Sequence, residues 1–327
     1  MEWGRRRVNA YFLAMDIGAL IIFALYGLFC ALSGKNRQIR KAAWLTALLA
    51  LVFCAWIVPG VSRVGFAFMT GELDPEYGGL EMLETLFDFQ IEHFSFFCGG
   101  AGLLLGVLIA NALMRRESLM AGMDAFAPFG ALLAALFRIG EITVPSYGGG
   151  HFLEEGSPFA FFPMALRIET AGGYSEWVWA VCIYSAICAL ICMGVTFLLL
   201  HRGARTGTAF TATLFFLCLS QIVCESMRNG GIYWLFVHAE QVLCAVVALG
   251  VMLYWIIGAR GVPAVKRWIP FAVLAAGFGL VAATEFAIDG KLFDLPVSVC
   301  YVFMIIVVAG VGFAGFQAAR RWNACKG

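Results

Sequence analysis

The sequence predicts an all-α membrane protein, a polytopic bundle of about nine transmembrane helices, and its composition and the length of its apolar runs support this prediction. Of the 327 residues, 62% are hydrophobic and 13% are charged, so a single water-soluble core cannot bury the apolar side chains. Many of these residues form runs of about 17 to 24, the length that crosses a hydrocarbon layer about 30 Å thick. We therefore expect the runs to be membrane-spanning helices.

The apolar runs follow one another along the whole chain. They cover approximately residues 11–32, 42–58, 94–114, 119–137, 177–200, 208–224, 242–259, 269–288 and 297–317. The basic start of the chain is typical of a signal peptide, but the first run is too long and no small-residue cleavage site follows it. We expect the first span to stay attached.

Charged residues are divided unevenly between the loops. Lysine and arginine are concentrated in residues 34–41, 115–118, 201–205, 259–267 and 318–327, whereas residues 72–92 and 141–176 are acidic. Loops rich in lysine and arginine remain on the cytoplasmic side, which places the N-terminus outside and the C-terminus inside. Arg5, Arg6 and Arg7 oppose this orientation, but the alternating basic loops outweigh them.

The remaining composition argues against several kinds of partner. A net charge of +1 and four scattered histidines give no basic surface for nucleic acid. The eleven cysteines lie mostly in apolar runs and lack the spacing of a zinc site or a disulfide scaffold. We interpret them as small buried hydrophobic residues and predict neither a metal nor another cofactor.

Polar residues interrupt or end the apolar runs mainly on the predicted outer side. They are Arg63, Cys98, Arg138, Gln221, Glu225, Arg228, His238 and Gln241. At 100° per residue, Gln221, Glu225 and Arg228 would share one face of a helix. Ionisable groups at membrane depth usually face the interior of a bundle or a polar cavity, so these positions indicate a site.

Three arginines near one membrane face suit an anionic lipid phosphate. Arg63, Arg138 and Arg228 can each bind phosphate through two parallel hydrogen bonds, and glycine backbone at Gly99, Gly100 and 148–150 lies nearby in sequence. Two alternatives stay open: a single arginine at a helix end can reach the lipid headgroups, and glycines can serve close helix packing.

Five stretches within residues 42–259 together form a recognisable pattern. They read "SRVGFAF", "FFCGGAG", "MDAFAPFGALLAALFRIGE", "GTAFTATLFFLCLSQIVCESMR" and "HAEQVL". In this order they resemble motifs of the bacterial prolipoprotein diacylglyceryl transferases, enzymes of lipoprotein biosynthesis in the plasma membrane. Members of that family transfer diacylglyceryl from phosphatidylglycerol to the lipobox cysteine of a prolipoprotein, form a thioether and release glycerol phosphate. The resemblance implies the same activity and the same partners, phosphatidylglycerol and the prolipoprotein signal peptide.

The resemblance also places individual residues. Arg63 and Gly65 match the R-I-G-Y motif, and the arginine of the signature G-R-x-G-N-F-x-N-G-E falls on Arg138. The other matched residues are Asp124, Pro128, Gly140, Glu225, Arg228 and Gln241. We predict the catalytic residues to be Arg138, Glu225, Glu141 and His93. The predicted substrate-binding residues are Arg63, Arg228, Gly99, Gly100, Gly140, Gln221, Gln241 and Cys98.

The implied reaction needs a base, because a thiol is a strong nucleophile only as the thiolate. The outer-side candidates are His93, His238, Glu141 and Glu225. Cys98 replaces the family's histidine and Gln221 an arginine, while Phe137 and Glu141 replace the signature's glycine and asparagine. Cys98 is either a nucleophile itself or a packing residue of an apolar helix.

These substitutions leave a second interpretation open, a non-catalytic relative that binds anionic phospholipid or lipoprotein precursors. A transporter is a weaker third, because Asp16 and Glu285 are acids within or near spans, although interhelical hydrogen bonds would also explain them. We divide the chain into an N-terminal helix and loop (1–41), a transferase-like domain (42–259) and a two-helix extension (260–327).

Overall fold

A computed structural model of the chain describes residues 2–33, 37–71, 94–114, 118–154, 156–169, 173–230, 232–234, 237–292 and 295–325. Most of these residues are helical, which confirms the predicted all-α class. His93 and the acidic stretch 72–92, both used in the predictions above, lie outside the described residues.

Nine helices in the described part of the chain are long and apolar enough to cross a membrane. They are α1 (Glu2–Ser33), α2 (Arg37–Thr70), α3 (Phe96–Leu113), α4 (Leu119–Gly140), α5 (Val181–His201), α6 (Thr208–Met227), α7 (Ala239–Gly258), α8 (Ala264–Ile288) and α9 (Val297–Ala324). The chain is therefore a multi-pass membrane protein, as the apolar runs predict.

Helix α2 extends well beyond its predicted end. The sequence-based span ended at residue 58, but the helix continues through Pro59 to Thr70. Proline is tolerated inside a membrane helix, because neighbouring groups can satisfy the carbonyl that it leaves without a partner. Arg63 and Gly65 consequently lie within a helix and not in a loop, which corrects the prediction.

Two short hairpins interrupt the helical structure. Strand β1 (Ala165–Glu169) pairs antiparallel with β2 (Ser175–Trp179), and β3 (Tyr233–Trp234) pairs with β4 (Val237–His238). The predicted fifth span began at residue 177, whereas 177–179 belong to β2 and α5 begins at Val181. Alternating tryptophan and valine suit a strand as well as an apolar helix, so hydropathy alone misplaced this boundary.

The chain forms two compact units, Met1–Met193 and Gly194–Gly327, and the division falls within α5. In the first unit, small residues bring helices close together. A Cβ at Gly106 of α3 would lie 2.7 Å from the Cys54 sulfur of α2. Likewise, Gly27 of α1 lies against Trp44 and Ala47 of α2.

The second unit is organised around α9. Gly315 of α9 receives the ring of Phe215 from α6, and Gly277 of α8 lies against Val311 of α9. Helix α9 therefore packs against both α6 and α8, and the last two helices form part of this unit's core. The sequence-based division at residues 41 and 259 rests on the resemblance and stays a prediction.

The turn before α6 is fastened to the end of α9. The backbone N–H of Arg205 donates to Asn323 Oδ1 at 2.6 Å, and its Nη1 donates to the Cys325 carbonyl at 2.8 Å. The guanidinium also lies 4.6 Å from the ring centre of Trp322. One arginine thus supplies hydrogen bonds to the carbonyl end of the last helix, where positive charge is favourable.

Candidate functional site

Arg138, in the last turn of α4, forms a buried ion pair with Glu141. Its Nη1 lies 2.8 Å from Glu141 Oε1, and the two side chains are only 1% and 2% exposed. The guanidinium carbon lies 3.7 Å from the ring centre of Phe96 in the first turn of α3. A buried charge is strongly stabilised by such a partner, so this arrangement fixes both residues in place.

Immediately after α4 ends, the chain turns back so that Gly148 packs against the backbone of Glu141. Residues Glu141–Thr143 form a 3-10 turn and Pro145–Gly148 a single helical turn. A Cβ on Gly148 would lie 2.7 Å from the Glu141 carbonyl oxygen, and one on Gly149 would lie 2.6 Å from Val178. The absence of a side chain at these glycines thus lets the chain pack closely against Glu141 and β2.

Serines fasten the start of α3 to α2. Ser62 Oγ donates to the Ser95 carbonyl at 2.5 Å, and the Ser95 hydroxyl caps α3 by accepting from the Cys98 N–H at 3.1 Å. Gly65 of α2 faces the Cys98 side chain directly. Phe96, in the same turn, lies beneath Arg138. The first turn of α3 therefore contacts α2 near Arg63 and the end of α4 at Arg138.

The remaining predicted residues of the first unit lie in α2, α3 and α4. Arg63 is buried, with its guanidinium 5.6 Å from the Phe66 ring centre. A Cβ on Gly99 would lie 3.4 Å from Ser62 Oγ, whereas Gly100 is exposed and faces open space. Gly140 allows Tyr11 and Met15 of α1 to approach closely. Within this unit, Cys98 therefore lies against Gly65, and the neighbouring Phe96 lies against Arg138, which is paired with Glu141.

A second buried ion pair lies in the C-terminal unit. Arg228 Nε is 3.3 Å from Glu225 Oε2. Helix α6 ends at Met227, and Arg228 has extended backbone at φ −72° and ψ 136°. The predicted helical face therefore includes the buried residues Gln221 and Glu225 but not Arg228, because the seven-residue offset applies only inside a helix. The sequence-based prediction placed Arg228 correctly beside Glu225, but it wrongly expected Arg228 to be helical.

Gln241 joins three helices of the C-terminal unit. Its Nε2 donates to the Ile222 carbonyl at 2.8 Å and to Glu285 Oε1 at 2.7 Å, and its Oε1 accepts from the His238 N–H at 3.0 Å. A glutamine amide offers two N–H donors, and protein groups occupy both. Gln241 thus serves the packing of α6, α7 and α8, and Glu285 takes part in the interhelical hydrogen bond named above as an alternative to transport.

Two further residues considered in the sequence analysis lie in other elements. His238 immediately precedes α7, and its ring lies 4.2 Å from the ring of Tyr233. Asp16 is exposed on α1. Among the described residues, no group of three or more histidine, cysteine, aspartate or glutamate side chains is arranged to hold a metal ion. The hypothesis that Arg63, Arg138 and Arg228 serve an anionic lipid phosphate stays a prediction.

Sequence reasoning missed two contributors to the first unit's site. Ser95 precedes an apolar run, a position typical of a helix N-cap, so this residue could have been identified. Phe96 offered no comparable signal, because the sequence contains 30 phenylalanines. Its position beneath Arg138 depends on how α3 and α4 meet, which local spacing does not reveal.

No protein-family model and no curated protein matches the sequence. The relation to the diacylglyceryl transferases therefore rests on the quoted motifs and stays a prediction.

Proposed function

We propose that the chain is a diverged prolipoprotein diacylglyceryl transferase of a bacterial plasma membrane. It would transfer diacylglyceryl from phosphatidylglycerol to the lipobox cysteine of a prolipoprotein. The observation that supports this most is Arg138, a guanidinium that is 1% exposed and held by Glu141 and Phe96 at the end of an apolar helix. Charged groups at membrane depth are costly and usually functional, and Arg138 matches the arginine of the family signature.

In the proposed reaction the prolipoprotein thiolate attacks the glyceryl carbon that carries the phosphate. The carbon–sulfur bond forms as the carbon–oxygen bond breaks, and glycerol phosphate leaves with the electron pair. Arg138 would stabilise the charge that develops on the leaving phosphate. The thiol proton passes to a base, and Glu141, Glu225 and His238 are the described candidates. His93, the fourth candidate, lies outside the described residues.

The non-catalytic alternative has an observation of its own. Cys98 occupies the family's histidine position, and its side chain lies directly against Gly65 of α2. Both candidate carboxylates, Glu141 and Glu225, also form ion pairs with arginines. A protein with these features could retain the phosphate-binding arginine while lacking the base. It would then bind anionic phospholipid or lipoprotein precursors without transferring the lipid.

A transfer assay separates these functions. Labelled phosphatidylglycerol and a lipobox peptide would be given to the parent protein, Arg138→Gln, Cys98→Ala and Cys98→His. Arg138→Gln should lose at least about 2–3 kcal/mol of transition-state stabilisation, roughly 30- to 150-fold in kcat/KM. Cys98→Ala should lose little, and Cys98→His should gain if the histidine position is still usable. Arg167→Gln, whose side chain is exposed on β1, is the matched control and should transfer like the parent.

Lipid retention covers the case in which the parent is inactive. Phosphatidylglycerol bound to the detergent-purified parent, Arg138→Gln and Arg167→Gln would be measured by mass spectrometry. Retention that depends on Arg138, without transfer by any variant, would support the binding function. An active parent whose Arg138→Gln variant is unimpaired would refute the proposed role of Arg138.

The proposed reaction also requires the site to lie on the outer side of the membrane. Ser175→Cys and Gly207→Cys would each be made in a background without reactive cysteines and treated with an impermeant thiol reagent. Ser175→Cys should be labelled from outside and Gly207→Cys should not, because the basic loops place them on opposite sides. The reverse pattern would place residues 141–176 in the cytoplasm and overturn the proposed site.

A further inference from the structure

A short apolar segment outside the spans exposes several large side chains. In residues 157–164, "SPFAFFPM", the side chains of Phe161 and Phe162 are 49% and 63% exposed, and Phe159 and Met164 are exposed as well. The segment contains no charged residue. Contiguous exposed apolar residues indicate a surface that contacts a membrane or another molecule.

Hydrogen bonds hold this segment at the start of α5. The Tyr184 hydroxyl donates to the Met164 carbonyl at 2.6 Å, and the Ala180 N–H donates to the same carbonyl at 3.1 Å. Helix α5 begins at Val181 and is one of the candidate membrane spans. The first turn of a spanning helix lies near the boundary between hydrocarbon and headgroups, so the segment is fixed at that depth.

The hairpin that follows has an apolar base and a charged tip. The Ala165↔Trp179 pair forms the base, next to the segment, and the Glu169↔Ser175 pair forms the tip. The two ends of β1 are four residue steps apart, about 13 Å at about 3.3 Å per step. Arg167, Glu169 and Glu176 are exposed towards the tip. Because polarity increases from the base to the tip, we expect the base to face the membrane and the tip to face water.

We infer that residues 157–164 form an interfacial anchor whose phenylalanines and methionine insert into the bilayer leaflet at the start of α5. We favour the bilayer over a protein partner as the surface that covers these side chains, because the segment is tethered at the depth of the headgroups. At that depth, apolar side chains are already next to lipid. The ring of Phe159 lies 5.7 Å from that of Trp179, and Tyr184 bonds the Met164 carbonyl. Tryptophan and tyrosine are the side chains enriched at the membrane interface. The inference does not depend on the proposed transfer reaction.

Since the segment carries no charge, its insertion should be driven by apolar area and not by attraction to anionic lipid. The anchor should therefore insert equally into zwitterionic and anionic bilayers. A site that recognises a lipid phosphate would instead favour the anionic bilayer, because arginine or lysine would supply the binding energy.

Depth measurement by spin labelling tests the anchor. The full chain, in a background without reactive cysteines, would carry a label at Phe162→Cys or at Ser175→Cys on the hairpin tip, in nanodiscs of phosphatidylcholine with and without phosphatidylglycerol. The label at 162 should collide mainly with oxygen, which concentrates in the bilayer. The label at 175 should collide mainly with a water-soluble nickel chelate. The results should be the same in both lipid mixtures.

A second variant excludes insertion driven by the label itself. A label at Pro158→Cys should be shielded from the nickel chelate while the phenylalanines are present. It should become accessible when Phe161 and Phe162, which are 49% and 63% exposed, are both changed to serine. A label at 162 as accessible to the chelate as the label at 175 would overturn the inference. Shielding seen in native membranes but not in nanodiscs would do the same and indicate a protein partner.

Discussion

The two Arg–Glu pairs have the same composition and the same three-residue spacing, yet the protein holds them differently. The Arg138–Glu141 pair is 2.8 Å long, and its side chains are 1% and 2% exposed. The Arg228–Glu225 pair is 3.3 Å long, and its side chains are 7% and 6% exposed. The guanidinium of Arg138 also lies over the ring of Phe96. The first pair is shorter and more completely shielded from solvent.

The position of the helix end accounts for the difference. Arg138 lies inside the last turn of α4, where helical backbone fixes it and the partial negative charge of the helix end favours a cation. Arg228 follows the last residue of α6, and its partner Glu225 is the member inside the helix, where the same partial charge opposes an anion. The order of the two residues relative to the helix end therefore decides how firmly a pair is held.

The largest expected effect comes from removing each cation. Arg138→Met should lower the free energy of unfolding by about 3–5 kcal/mol, because Glu141 would remain buried without its partner. Arg228→Met should cost less, about 1–3 kcal/mol, since its pair is longer and less buried. Unfolding by sodium dodecyl sulfate in mixed micelles would measure both. Equal losses would show that the helix-end argument is wrong, and Glu141→Leu combined with Arg138→Met should recover most of the loss.

The glycine backbone that covers the first pair provides the next test. Gly148→Ala should cost about 1–3 kcal/mol, because the new methyl group would force backbone away from Glu141. Gly100→Ala is the matched control: nothing lies within 4 Å of a Cβ there, and α3 should gain up to about 1 kcal/mol from alanine. Thermal unfolding in one detergent would compare the two. If the Gly148→Ala protein were as stable as the parent, residues 145–148 would not be closely packed against Glu141.

A smaller effect should follow from removing the aromatic ring beneath Arg138. Phe96→Leu should cost about 1–2 kcal/mol through the lost cation–π contact and the smaller side chain. Phe66→Leu, whose ring lies 5.6 Å from Arg63, should cost less. A double-mutant cycle of Phe96→Leu with Arg138→Met would isolate the contact. A coupling energy near zero would show that the ring only fills space.

The smallest expected effect concerns alkaline pH and lies in the C-terminal unit. Burial first, and then the carboxylates of Asp289 and Glu285, raise the pKa of Tyr233 above its ordinary value. The folded protein therefore holds this phenol proton more tightly than the unfolded chain. The resulting stability is fully present below the unfolded pKa of about 10 and is lost as pH rises through the folded pKa.

This effect would be measured by comparing unfolding of the parent and Tyr233→Phe at pH 9 and pH 11. The parent should lose more stability than the variant between these values, because phenylalanine has no proton to release. Asp289→Asn should reduce the difference. An identical pH dependence for parent and Tyr233→Phe would show that the tyrosine does not contribute.

Most of the fold could be predicted, because each span must supply its own apolar run to lipid. The errors fell where hydropathy is ambiguous: α2 continues through Pro59, and the tryptophan-rich 177–179 stretch pairs as a strand. The site was less predictable. Arg138 was found because it ends an apolar run, but the bond between Gln241 and Glu285 joins residues 44 positions apart. Such a pairing depends on how helices meet and leaves no local pattern.

The bonds between Arg205 and the end of α9 have a consequence for how the protein is made. Asn323, which accepts from the Arg205 N–H, follows it by 118 residues. A ribosome adding roughly 5–20 residues per second needs about 6–24 s to synthesise that stretch. A helix forms within about a microsecond, so α6 exists long before its N-terminal turn can be fastened. During synthesis, the hydrogen-bond donors of Arg205 must therefore bind water or lipid headgroups. The C-terminal unit can be completed only when translation reaches the end of α9.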